Sequence, residues 1–326
     1  MARVLDLHIH PTLKMHYIPY VPYNFLGWSY SGRKWNPMAF QSSWHNLRNS
    51  PEKVMLCAHY VIEQGFMTEG LSAPARAIAW AAAPLFYNKL RTADPWKELM
   101  AMMDGLERAA KLSNPLIPKD EKRFRFVKSF AEIGQLADNE IGLVHAIEGS
   151  HALGYGPEKG ESMEQFWHKV ERRVDYLKKR GVAMITLSHF WDNPFCPQTD
   201  GTEIISTEKN GQVVAKRDDL LAHMKRADWR WGDPDKLAEP LARKLLKDGI
   251  LIDLAHAQEH ARDAVYELCA EYKRPIVVSH NGLKHFFDHE YNLSDDELRK
   301  IRTLGGVVGL IISRRLLVDP IKRHKT

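Results

Sequence analysis

Arg3-Val4-Leu5-Asp6-Leu7-His8-Ile9-His10 is the stretch on which the reading of this chain turns. Its apolar residues have the length and type of a short strand buried on both faces. It ends on two histidines spaced two apart. Side chains at that spacing on a strand point to the same face. His8 and His10 therefore aim together from the strand's C-terminal end, where two imidazoles make a natural divalent-metal site. A His-x-His pair alone fits two satisfied core histidines equally well, so the rest of the chain decides.

Six more apolar runs rich in valine, isoleucine and leucine follow, at 54–61, 141–147, 182–187, 250–255, 275–279 and 307–312. Helix-period segments separate most of them: 164–180 ending before Gly181, 236–247 before Gly249, 259–272, and 294–304. The last opens Ser294-Asp295-Asp296-Glu297, a capping-box pattern. Strands alternating with helices predict a parallel sheet with right-handed crossovers, and seven candidate strands point to an α/β TIM-like (β/α) barrel. The expected organisation is one barrel domain over residues 1–326, with insertions at about 64–125 and 191–235. The first insertion is largely helical. The second contains a hairpin over 203–216 turning at Asn210-Gly211. Long insertions of this kind sit at a barrel's catalytic mouth and often form lids.

The ends of the runs carry the chemistry. The third closes with Glu148, the fourth with His189, the fifth with His256 and the sixth with His280. Core histidines have no reason to choose the same end of each strand, whereas barrel enzymes assemble their reacting groups at the C-terminal face. The expected ligands are His8, His10, Glu148, His256 and His280 around one or two zinc ions, with manganese or iron as alternatives. Glu148 has two oxygens and can bridge two cations, His8 and His10 holding one and His256 and His280 the other. The catalytic pair is Glu148 and His189. His189 precedes the aromatic and polar loop 190–195 and is assigned, with Asn193, to substrate binding, metal coordination being the alternative for His189. His145 lies three residues before Glu148, on the strand's opposite face. His16, His45, His59, His285 and His289 show no sequence partner.

Bulk properties narrow the classes. With 46 basic and 41 acidic residues the net charge is +5, small for 326 residues and no argument for nucleic acid. The basic end Lys322-Arg323-His324-Lys325 reads as a solvated terminus. The most apolar stretch, 71–87, is broken by Pro74, Arg76 and Pro84 and is too short for a clean membrane span. Three cysteines with no C-x-x-C pair, and no signal-like start, predict a reducing, cytoplasmic setting.

Taken together, Asp6-Leu7-His8-Ile9-His10, Ala146-Ile147-Glu148-Gly149-Ser150-His151, and Met184–His189 with Asn193-Pro194-Phe195 resemble the renal (membrane) dipeptidase family of the amidohydrolase superfamily. Gly249–His256 and Pro275–His280 extend the likeness, which runs in order over roughly 1–313. The resemblance implies a two-zinc hydrolase that cleaves the amide or peptide bond of a small substrate with a metal-bound hydroxide. By that likeness His189 contacts the substrate. Three departures accompany it. His10 stands where the family usually has Asp. Asp288-His289-Glu290-Tyr291 stands where the family grips a substrate carboxylate with arginines. After 307–312 no eighth strand carrying an aspartate is evident, Asp319 being the nearest carboxylate. The expectation is a barrel lacking or altering its eighth strand, with exposed edges favouring a homodimer. Two competing readings follow: a catalytically impaired metal-binding homologue or partner subunit, and a metal-dependent phosphoesterase of the type that opens Asp-Leu-His-x-His.

Overall fold

The computed structural model describes residues 4–17, 25–26, 42–68, 76–77, 80–81, 84–191, 193–199, 207–209, 212–215, 231–233 and 236–311. The chain forms two compact units. Met1–Val61, Asp94–Glu148 and Asp175–Met184 make the first; Ile62–Ala93, Gly149–Val174 and Ile185–Thr326 make the second.

In the first unit β1 (Val4–Ile9), β2 (Glu52–Tyr60), β3 (Arg123–Phe126) and β4 (Glu140–Glu148) pair in parallel, β1 on β2, β2 on β4 and β3 on β4. The β2–β4 register is unbroken from Val54 opposite Gly142 to Tyr60 opposite Glu148. Val54–Tyr60 and Ile141–Glu148 are buried throughout, which is why both read as continuous apolar runs without alternation. The helix Pro95–Ser113 covers this sheet. Asp94 caps it by accepting the Trp96 and Lys97 amides, and Pro95 takes the first turn, where its missing N–H costs nothing. Its buried stripe places Leu106, Ala109 and Ala110 in one core with Met55, Cys57, Phe124, Ile141 and Leu143.

In the second unit the end of β5 (Val182–Thr186) leads the strand order β5, β8 (Leu251–Asp253), β9 (Val277–Asn281), β10 (Val307–Leu310), with β6 (Thr207–Lys209) and β7 (Gln212–Ala215) forming a separate antiparallel hairpin. The β8–β9 and β9–β10 pairs are parallel. The helices Ala238–Asp248, Glu259–Tyr272 and Asp295–Thr303 fill the connections. Gly249 ends the first in a left-handed cap, and Ser294 with Glu297 forms the capping box of the third. Arg262, fully buried, ties this region together. Its guanidinium donates to Glu297 and to the carbonyls of Ala257 and Glu290.

Apart from β3 and the hairpin, each strand neighbours the next in sequence, in the order β1-β2-β4-β5 in the first unit and β5-β8-β9-β10 in the second. An order that never reverses is the winding of the TIM-like (β/α) class rather than of a doubly wound sheet. The α/β class expected from the sequence is the class observed. β3 was not expected: Arg-Phe-Arg-Phe lies at the end of the stretch read as a helical insertion, yet it pairs with β4 and buries Phe124. The segment 312–326, including Asp319 and the question of an eighth strand, lies outside the described residues, as does the Asn210-Gly211 turn. Among the described residues no helix is long and apolar enough to cross a membrane.

Candidate metal centre

β1 in the first unit delivers His8 and His10 as period two requires. His8 Nε2 lies 3.0 Å from His10 Nε2, 3.1 Å from Glu148 Oε1, and His10 Nε2 lies 3.3 Å from Glu148 Oε2. Glu148 is brought there by β4 and is 2 % exposed. The His10 ring is oriented by its other nitrogen, Nδ1, which donates to the Ala58 carbonyl at 3.1 Å. That bond puts the proton on Nδ1 and leaves Nε2 with its lone pair facing His8. The His8 amide donates to Asp6 Oδ1, which fixes the strand end; burial pushes the Asp6 carboxyl above the usual range.

These contacts fit a cation. Ligand atoms around a tetrahedral zinc at ~2.0–2.1 Å stand about 3.3 Å apart. The separations of 3.0, 3.1 and 3.3 Å, the last two to different oxygens of Glu148, are close to that spacing. The lone pair of His10 Nε2 faces His8 and Glu148, and two imidazoles with one carboxylate form a donor set that zinc takes readily.

The second unit repeats the motif. His256 Nε2 lies 3.0 Å from His280 Nε2. His280 Nδ1 bonds Ser279 Oγ at 2.7 Å, and that hydroxyl donates to Asp253 Oδ2 at 2.6 Å. Since the hydroxyl's one proton goes to the carboxylate, it accepts from His280, and His280 Nε2 again keeps its lone pair. Asp253 itself is an anchor: Thr186 Oγ1 and the Ala255 and Ser279 amides also donate to it. His256 adopts φ +67°, in the left-handed region that non-glycine residues take uncommonly, and its carbonyl accepts the Thr199 amide at 2.7 Å.

His189 lies in the same unit, its ring 4.5 Å from that of His256. Its Nδ1 bonds Glu63 Oε1 at 2.8 Å, and the Phe190 amide donates to the same oxygen at 3.0 Å. Asn193 is less available than its sequence position implied. Its Oδ1 accepts the Phe195 and Cys196 amides, closing a turn, so only Nδ2 remains for a ligand. Gly149, next to Glu148 in sequence, holds φ +87°; a Cβ there would come within 2.3 Å of the His151 ring.

His8, His10 and Glu148 thus meet in one unit, and His189, His256 and His280 gather in the other. Sequence reading missed Glu63. The second apolar run was the exception that ended on no ligand-type residue; two positions past its end, at Glu63, it does. It also left His59 without a partner. His59 Nε2 bonds His145 Nδ1 at 2.8 Å on the outer face of β2 and β4, and His145 continues to Glu107 at 3.2 Å. Burial holds both imidazoles below the ordinary histidine range, His145 being partly offset by Glu107.

A singly wound α/β fold whose strands end on imidazoles and a buried carboxylate offers groups of the kind that could hold a metal ion. Comparison with known proteins narrows the reading. Residues 238–322 match the model of the membrane dipeptidase family, peptidase family M19. An uncharacterized dipeptidase of Schizosaccharomyces pombe is 26% identical over 144 residues, 43% of this chain and 28% of that one. Among solved structures, a metallopeptidase of Rhodobacter sphaeroides, liganded with a phosphinate mimic of the dipeptide L-Ala-D-Ala, superposes with a TM-score of 0.57 at 17% identity, over 98% of this chain and 77% of that chain. Dipeptidase AC, a metallopeptidase of family M19, gives 0.55 at 18% identity, over 98% and 75%. The probable dipeptidase PvdM of Pseudomonas aeruginosa gives 0.51 at 17% identity, over 80% and 50%. The chain spans about a quarter of the length of the curated relative and half that of PvdM. The stretch that the family model matches contains His256 and His280, and the solved structures share the fold.

Proposed function

We propose that this chain is a metal-dependent hydrolase of the membrane dipeptidase type, cleaving an amide or peptide bond of a small substrate with one or two zinc ions, manganese and iron being the alternatives. The carrying observation is the facing of imidazole Nε2 atoms at 3.0 Å, once between His8 and His10 and again between His256 and His280. His8, His10 and Glu148 would hold one ion; His256 and His280 supply imidazoles for a second. A bound divalent cation supplies Lewis acidity, polarising a carbonyl and lowering the pKa of water.

The chain's own residues do the rest. Glu148 is one negative charge against two neutral imidazoles, so a divalent ion keeps a net positive charge toward substrate. His189, whose Nδ1–H is held by Glu63, presents Nε2 to substrate as an acceptor for an N–H or, when the ring is doubly protonated, as a donor to an oxygen, and Asn193 offers its Nδ2. Asp288 and Glu290 disfavour a free carboxylate nearby, so amidated and free dipeptides should be compared, beginning with L-Ala-D-Ala.

Metal analysis of chelator-free protein, paired with that substrate panel, tests the reading. Wild type should carry zinc and hydrolyse a member of the panel. Glu148→Gln should lose zinc; His189→Ala should keep it and lose turnover. Protein without metal, or Glu148→Gln with unchanged stoichiometry, overturns the proposed centre. Full metal with no turnover across the panel favours a metal-binding homologue without catalysis.

A further inference from the structure

We infer that Glu63 is the positioning residue of His189, fixing which of its ring nitrogens works on the substrate. The contact itself stands on geometry; only the role given to His189 rests on the hydrolase reading above.

Glu63 is fully buried, where a carboxylate is unfavourable unless donors compensate its charge. Its Oε1 is compensated by two donors from a segment 126 residues away, the His189 imidazole at 2.8 Å and the Phe190 amide at 3.0 Å. An oxygen that takes the Phe190 N–H acts as an acceptor, so the histidine proton sits on Nδ1 and the lone pair on Nε2. Two rings hold the imidazole from the sides, Phe190 at 4.0 Å and His256 at 4.5 Å between centroids. Hydrogen bond and packing together leave the ring one orientation. This is how ring-orienting partners act on functional histidines: they fix tautomer and direction without touching the ligand.

The test compares wild type, Glu63→Gln and Glu63→Ala by ¹H–¹⁵N NMR of the histidine side chains in the full chain, with His189 assigned from the His189→Ala spectrum. Wild type should show His189 protonated at Nδ1 with a strongly downfield N–H proton. That proton should move upfield in Glu63→Gln, where a neutral carbonyl replaces the carboxylate, and the Nδ1 preference should vanish in Glu63→Ala. If wild type hydrolyses L-Ala-D-Ala, kcat should fall about 10–100-fold in Glu63→Ala with KM little changed, and Glu63→Gln should recover part of it. An identical His189 spectrum in wild type and Glu63→Gln overturns the inference, and that pair suffices if Glu63→Ala does not fold. Because the spectrum needs no turnover, a wild type that hydrolyses nothing sinks the hydrolase reading while the positioning role is still decided.

Discussion

A methyl group at position 149 has nowhere to go. Gly149 combines φ +87° with a virtual Cβ 2.3 Å from the His151 ring and 3.3 Å from the His189 Cβ. Gly149→Ala should therefore cost about 2 kcal/mol or more, from strain and collision together, and lower the melting temperature by several degrees. A variant that melts with wild type would show that the 149–151 turn relaxes freely. At this scale the sequence was most legible where period two governs. His8 and His10 had to share a face, and His145 had to oppose Glu148. It was least legible where a partner comes from a distant loop: nothing local links Glu63 to His189, and nothing local shows that Asn193 spends its carbonyl on the Phe195 and Cys196 amides.

Elements announced themselves by their ends. Ser294 and Glu297 were readable as a capping box, and both reciprocal bonds are present. Ser294→Ala should destabilise by about 1 kcal/mol, measured by urea unfolding with an unchanged m-value. The loss should exceed that of Ser162→Ala, whose hydroxyl accepts the Gln165 amide in an exposed setting. The buried parallel strands were legible because burial on both faces forces unbroken apolar runs. β3 was not: only Phe124 of its four residues is fully buried, and two arginines mask a strand whose pairing is supplied entirely by β4.

For the molecule as a whole, acid is the informative variable. His59 and His145 are buried and held below the ordinary histidine range mainly by desolvation. Between that depressed folded value and the unfolded value near 6.5, the unfolded chain binds more protons, so stability rises with pH across the window. Taking metal-free protein from pH 7.5 to pH 5.5 should lower its melting temperature, and His145→Asn should flatten the slope. A slope unchanged in that variant would place the acid sensitivity elsewhere. The winding of the fold was legible because helices and strands alternate along the chain. The division into two compact units was not, since each draws on segments far apart in sequence.

Arg262 carries one more consequence. The loops after β8 and β9 place His256 and Tyr291, whose hydroxyl donates to the His280 carbonyl at 2.8 Å. One guanidinium grips a carbonyl from each loop, at Ala257 and Glu290, while its charge rests on Glu297 of the following helix. Surface connections ordinarily trade amide hydrogen for deuterium within seconds, through small local openings. Here the amides of Ala257, Asn292 and Leu293 should exchange in step with the helices instead. Arg262→Met should release both stretches together, because opening either loop first means abandoning the same buried cation.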